Sequence, residues 1–129
     1  EVAKHCRKTD FLLDIGTGGG EKVLKIAPLV YLLIGIDRSK EMIKTANKNL
    51  TRSRTPNARF FKMDAKKIIF PNNFFNIVSC RHAPFFPDEV ARVLVKGGLF
   101  LTQQVSEADK LNIKKAFGRG QGFRPAGLE

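Results

Sequence analysis

Apolar residues in this chain gather in short runs, each closed by glycine, proline, asparagine or an acid. Phe11-Leu12-Leu13-Asp14-Ile15 predicts a buried strand that ends in a glycine cluster. Glu21 to Ala27 reads as a short helix stopped by Pro28, because proline cannot continue a helix interior. Tyr31 to Asp37 is a second apolar strand, and Ser39 is a good N-cap for a helix from Lys40 to about Leu50 or Arg52. On that helix Ile43, Ala46 and Leu50 form an apolar stripe at i, i+3, i+7, with Lys40, Lys44 and Lys48 opposite at i, i+4, i+8. The turn Thr55-Pro56-Asn57 introduces a third strand, Ala58 to Asp64, and Pro71-Asn72-Asn73 a fourth, Phe75 to Cys80. Asp88 to Leu94 reads as a helix that Lys96-Gly97-Gly98 ends. Leu99 to Val105 is a fifth strand, Ser106 to about Phe117 a last helix, and Gly118 onward a tail.

Strands alternating with helices predict a doubly wound α/β fold: a Rossmann-like parallel sheet of five strands covered on both faces, three-layer αβα, in a single domain over 1–129. In such a sheet ligands bind beyond the carboxyl ends of the strands. Asp37 and Asp64, each closing a strand, are therefore expected to face one crevice.

Composition sets limits on this picture. The 129 residues are 43% hydrophobic and 27% charged, which excludes a disordered chain. No apolar run is long enough for a membrane span and no secretory leader is visible, so a cytoplasmic protein without a membrane partner is expected. Cys6 and Cys80 are the only cysteines, with the spacing of neither a disulfide framework nor a metal site, and no metal is expected. Against 12 acids stand 23 Lys and Arg, a net charge of +11, and residues 31–70 hold 10 of those cations with 3 acids. That excess reads as the solvated face of a helix or as a footprint for an acidic partner, extended by Arg52, Arg54 and Arg59. Basic and aromatic residues do not alternate as in RNA-binding motifs, so charge alone supports a nucleic-acid partner. The chain starts on Glu1 rather than Met and closes on Gly127-Leu128-Glu129, which suggests a fragment.

The sharpest signal is Asp14-Ile15-Gly16-Thr17-Gly18-Gly19-Gly20, between the first strand and the first helix. Glycines there let the backbone turn tightly and approach a ligand. The dinucleotide pattern G-x-G-x-x-G would need glycine at position 21, which is Glu21, and the P-loop lysine and hydroxyl pair is missing. An acid two residues ahead of the first glycine suits a cationic amine better than a pyrophosphate.

With Asp37 and Asp64 added, the chain resembles the class I S-adenosylmethionine-dependent methyltransferases. The matching stretches are FLLDIGTGGGE, LIGIDRSKEMI, FFKMDA, FFNIVSCRHAPF and EVARVLVKGGLFL, in family order over about residues 10–105. The resemblance implies a cofactor, S-adenosyl-L-methionine, with S-adenosyl-L-homocysteine as product. It implies that the loop Gly16, Thr17, Gly18 and Gly20 runs under the methionine part, with Asp14 holding the ammonium directly or through water. Asp37 is implied to accept from both ribose hydroxyls, and Asp64 from the adenine amino group, with the Ala65 N–H offered to a ring nitrogen. Met42 is implied to lie on the adenine face, the stem of Arg38 to cover the adenine, and Cys80 and Arg81 to line the floor near the methyl. For each carboxylate the competing reading is an N-cap or surface acid.

Some features depart from the family. Asn76 stands where members often have Asp, at the end of the strand away from the cofactor. After Val105 no convincing strand remains, so a core lacking the usual C-terminal antiparallel strands is expected, with the edge of the fifth strand open to a second copy or to the segment from Ser106 to Phe123. Methyl transfer needs alignment above all, and a base only where the acceptor must lose a proton early. His82 is the candidate base, against the reading of an ordinary loop histidine. His82-Ala83-Pro84-Phe85 lacks the key amide or acid and one proline of the D/N-P-P-Y/F box. Phe85 and Phe86 read as an apolar wall for a flat substrate or as core. A small-molecule acceptor is favoured, with RNA or another polyanion, or a cofactor-binding module without turnover, as alternatives.

Overall fold

The computed structural model describes residues 2–103 and 124–125, so the expected last helix from Ser106 to Phe117 lies outside the described residues. The elements are β1 (Phe11–Ile15), α1 (Glu21–Leu24), β2 (Leu32–Asp37), α2 (Lys40–Ser53), β3 (Ala58–Lys62), β4 (Phe75–Arg81), α3 (Pro87–Val93), β5 (Leu94–Gln103) and the short β6 (Arg124–Pro125). They form one sheet in the order β3-β2-β1-β4-β5-β6, and every pairing in it is parallel. The fold is thus the doubly wound α/β architecture that the alternation of elements predicts. The chain winds outward from β1 to β3 and then crosses back to β4, so the strand order reverses between β1 and β4. That reversal opens a crevice at the carboxyl ends.

Alternation within the strands divides the core in two. Leu12, Leu33, Ala58, Phe60 and Ile77 face Val23, Ile43 and Ala46 of α1 and α2. Leu13, Ile15, Ile34, Ile36, Val78 and Phe100 face Val90 and Val93 of α3, together with Ala65 and Ile68. The strands β1, β2 and β4 are apolar on both faces because both faces are covered. Helix α2 forms as its sequence dictates. Ser39 Oγ accepts the Met42 N–H at 3.1 Å, Ile43 and Ala46 are buried, and Arg54 closes the end in the left-handed conformation at φ 54°.

The structure corrects four boundaries. α1 ends at Leu24, and Pro28 sits in the first turn of a separate 3₁₀ segment, Ala27–Leu29, rather than stopping the helix. β3 ends at Lys62, so Asp64 lies in the turn beyond it. Its own side chain accepts the Lys66 N–H at 2.9 Å, which competes with the strand ladder. Lys96-Gly97-Gly98 is part of β5, not a helix stop. α3 has already ended at Val93, Leu94 pairs with Phe75, and the register shifts before Leu99 meets Ile77. Gly97 takes φ +79° in that bulge, and a Cβ on Gly98 would meet Val95 O at 2.8 Å. Finally, the edge of β5 is not open along its length: Leu99 and Phe100 pair with Arg124 and Pro125, inside the segment expected to be tail. Asn76 takes a structural role, its Oδ1 accepting the Phe11 N–H that opens β1 at 2.8 Å.

Candidate functional site

The glycine loop is latched to the end of β2. The Gly16 and Thr17 N–H groups both donate to Ile36 O at 2.9 Å, and the Gly18 N–H donates to Asp37 Oδ2 at 2.9 Å. The Gly20 N–H closes a turn on Thr17 O at 3.0 Å, and Asn49 Nδ2 reaches from α2 to Gly19 O at 2.8 Å. Gly16, Gly18 and Gly20 have φ of +74°, +58° and +78°, the left-handed region that a side chain strains. With these four N–H groups committed inside the protein, the loop is a poor cradle for a pyrophosphate, whose oxygens need free backbone donors.

Asp14 stands where the strand order reverses, opposite Ser79 of β4. It is buried, and its Oδ1 accepts from Ser79 Oγ at 2.7 Å. Burial raises its carboxyl pKa above the ordinary 3.8, while the hydrogen bond from Ser79 and the charge of Arg81 pull it down. The Thr17 hydroxyl is buried with no hydrogen-bond partner among the described residues. It lies over Gly35, where a Cβ would come within 2.7 Å of it. A buried carboxylate beside an orphaned hydroxyl fits the ammonium head of an amino acid, which brings donors to both.

Asp37 uses one lone pair on each oxygen, accepting from Gly18 N–H on Oδ2 and from Ser39 N–H on Oδ1, both at 2.9 Å. A carboxylate oxygen has a second lone pair, so both oxygens can still take a hydroxyl. A cavity of about 200 Å³ gathers Gly16, Asp37, Arg38, Asp64, Ala65 and Phe86 among its lining residues. Asp37, at the end of β2, and Asp64, in the turn after β3, therefore do face one crevice. The Ala65 N–H takes no acceptor among the described residues.

Other residues named from the sequence lie outside that cavity. Met42 is exposed, 4.0 Å from the position of a Cβ on Gly18. Cys80 is buried, with its Sγ donating to Ala83 O at 3.2 Å, and burial together with Asp14 pushes its thiol up to about 12. Arg81 is half-buried at the end of β4, and His82 is exposed just beyond it with φ 55°. Ser79, Gly35 and the pair Ala83 and Pro84 were not marked as site residues by the motifs. Ser79 could have been found from the register of the fourth strand against Asp14, and Gly35 from its place inside LIGID. Among the described residues no group of His, Cys, Asp and Glu is arranged to hold a metal, and no helix is long and apolar enough to cross a membrane.

Residues 12–98 match the family described as Methyltransferase domain. The uncharacterized methyltransferase YcgJ of Bacillus subtilis is 39% identical over 104 residues, 75% of this chain and 41% of that protein. Its crystal structure superposes with a TM-score of 0.77, at 32% identity over 88% of this chain and 55% of that one. The ubiquinone/menaquinone biosynthesis C-methyltransferase UbiE of Stutzerimonas stutzeri is 29% identical over 89% of this chain and 48% of that protein. The [4+2]-cyclase SpnF shares the fold, with a TM-score of 0.74 at 23% identity over 80% of this chain and 42% of that one. This chain spans about half the length of the relatives it matches. With the family match covering most of the described sheet and the two acids facing one crevice, the chain belongs to the class I S-adenosylmethionine-dependent methyltransferase family.

Proposed function

We propose that this chain binds S-adenosyl-L-methionine in the crevice and serves methyl transfer to a small-molecule acceptor, releasing S-adenosyl-L-homocysteine. The observation that carries this reading is the meeting of Asp37, Asp64 and Gly16 in one cavity beside a loop whose N–H groups are already committed. When bound, the cofactor supplies a methyl on a sulfonium, a leaving group already activated by its charge. The chain's own part is alignment. Asp37 holds the ribose diol, Asp64 and the Ala65 N–H read the adenine edge, and Asp14 with Thr17 receives the ammonium. Arg38, Met42, Cys80 and Arg81 surround this frame, and His82 accepts a proton from an acceptor that must lose one. Free Cys6 and Cys80 suit a reducing compartment, and we assign the protein to the cytoplasm.

Calorimetry with S-adenosyl-L-homocysteine tests the pocket. Binding that Asp37→Ala abolishes or strongly weakens is the expected result, and unchanged affinity with the fold intact removes the reading. Methyl transfer is tested separately with a labelled methyl and a panel of small acceptors. SpnF, a cyclase, shares this fold, so binding without transfer to any acceptor would favour a cofactor-binding module.

One observation favours a polyanionic acceptor such as RNA instead. Lys40, Lys44, Lys48 and Arg52 are all exposed along one face of α2, rising about 6 Å per step, and no ion pair among the described residues reaches them. Four phosphate contacts on a single strand would give a logarithmic salt slope of about −3. A flat slope rejects this alternative.

A further inference from the structure

Residues 63–74 join β3 to β4 with no helix or strand among them, yet they supply Asp64, Ala65 and Lys66, one wall of the cavity. Buried backbone groups need partners, and here a ladder does not provide them. Two residues of α3 do. Glu89 Oε2 accepts the Ile68 N–H at 2.7 Å. Arg92 Nη2 donates to Ile68 O at 2.6 Å, and its Nη1 donates to Phe70 O and Asn72 Oδ1, both at 2.9 Å. The guanidinium also grips Glu89, through Nε on Oε1 at 3.1 Å and Nη2 on Oε2 at 2.9 Å.

An arginine has five N–H donors in a rigid fork, and each of those on Arg92 has an acceptor. It therefore has none to offer a substrate anion, although it borders an open groove with Lys66, Lys67 and Phe70. Its work is internal. Ala65 and Ile68 are buried against Val90 and Val93, so the apolar side of the segment is seated on the same helix that supplies the fork. Neither Glu89 nor Arg92 lines the cavity itself.

We propose that Glu89 and Arg92 are positioning residues for adenine recognition: by fixing residues 63–74 on α3, they set where Asp64 and the Ala65 N–H meet the base. This rests on the reading that the crevice holds S-adenosyl-L-methionine with its adenine against that wall. A lysine at position 92 would keep the charge beside Glu89 and lose the planar fork, so Ile68 O and Phe70 O would lack a shared anchor.

The test compares two ligands by calorimetry on the chain and its variants: S-adenosyl-L-homocysteine, and its inosine counterpart, in which a carbonyl replaces the adenine amino group. The wild-type chain is expected to prefer adenine by about tenfold or more, the worth of one well-placed hydrogen bond. In Arg92→Lys that preference falls toward one, and in Glu89→Gln it falls part of the way. Glu89→Gln keeps an acceptor for Ile68 and the fork on the carbonyls, so it carries the test if Arg92→Lys does not fold. Melting temperatures are taken alongside. A folded variant that melts earlier but keeps the wild-type preference overturns the proposal and leaves Arg92 a stability residue. A wild-type chain that binds both ligands equally overturns the adenine reading itself, and the positioning role with it.

Discussion

The wall of the crevice that carries Gly16 and Asp37 is held by the sheet, whereas the wall that carries Asp64 and Ala65 is held by side chains. On the first, Ile36 O takes two loop N–H groups and Asp37 takes a third, so the loop inherits the rigidity of a strand paired on both sides. On the second, one arginine and one glutamate take the place of a ladder. The first wall resists everything short of a change in its glycines or its acid. The second depends on charge and on one planar fork, and should respond to pH and to single substitutions on a helix that does not line the cavity.

The sheet-held wall is broken most severely at Gly20. Its φ is +78°, and a Cβ there would lie 2.9 Å from Phe60 Cζ and 3.4 Å from Ala46 Cβ. Gly20→Val is expected to cost about 3 kcal/mol, from left-handed strain together with overpacking. Gly18, at φ +58°, has only Met42 Sδ near that position, at 4.0 Å. Gly18→Val should therefore cost about 1–2 kcal/mol of stability and still abolish cofactor binding. Denaturant melts with calorimetry separate the two, and equal stability losses would show that the loop is not packed as described. Gly18→Asn, which tolerates the left-handed region, is the control for strain.

Asp37→Ala comes next. It removes the acceptor for the Gly18 and Ser39 N–H groups as well as the proposed ribose contacts, and binding should weaken by about 1.5–3 kcal/mol, the range for hydrogen bonds to a charged group. The side-chain-held wall should yield to Arg92→Lys with a stability loss of about 2 kcal/mol, since the part-buried Ile68 and Phe70 carbonyls lose their shared planar fork. Its acid dependence sharpens the contrast. Hydrogen bonding from Arg92 holds the Glu89 carboxyl below its ordinary 4.5. The stabilisation is then complete above the ordinary value and is lost as pH falls through the depressed one. The gap between wild type and Arg92→Lys should be constant from neutral pH to about pH 5 and narrow in stronger acid by the share that rests on Glu89, while the share that rests on the carbonyls stays. A gap that does not narrow there would mean that the fork acts without the glutamate's charge.

Most of the sheet-held wall was legible in the sequence, because glycine spacing and strand-end acids carry their reason in the local chain. Short apolar runs located β1, β2 and β4 within a residue or so, since strands buried on both faces show as continuous apolar runs. On the other wall Asp64 and Ala65 were legible, but what holds them was not. Glu89 and Arg92 sit at i, i+3 in EVARVL, which reads as an ordinary surface pair on a helix. Nothing local says that the pair reaches Ile68 and Phe70, more than twenty positions earlier. The bulge at Gly97 and Gly98 was missed for the same reason: a glycine pair after a helix looks like a stop until the partner strand supplies the register. Asp64 read as a strand end because its neighbours are apolar, and only its own hydrogen bond to Lys66 N–H shows that the strand has already closed.

Asp14→Asn should have the smallest effect, and it is favourable to the fold. The carboxyl is buried and its pKa is raised chiefly by desolvation, so ionising it opposes folding. Above the ordinary value of 3.8 the unfolded chain releases this proton more readily than the folded one, and stability declines as pH rises toward the raised value. An asparagine has no such dependence. Its oxygen can still accept from Ser79 Oγ, and its amide can donate to the orphaned Thr17 hydroxyl. The variant is expected to match wild type in strong acid and to exceed it by about 1 kcal/mol near neutral pH, a typical gain where function has kept a costly group. The same change removes the proposed negative partner of the ligand's ammonium, so affinity for S-adenosyl-L-homocysteine should fall while the fold gains. Denaturant melts across pH and calorimetry at neutral pH measure the two sides. A variant that is both more stable and an equally good binder would show that Asp14 serves the strand junction alone, and the ammonium would have to be held elsewhere on the loop.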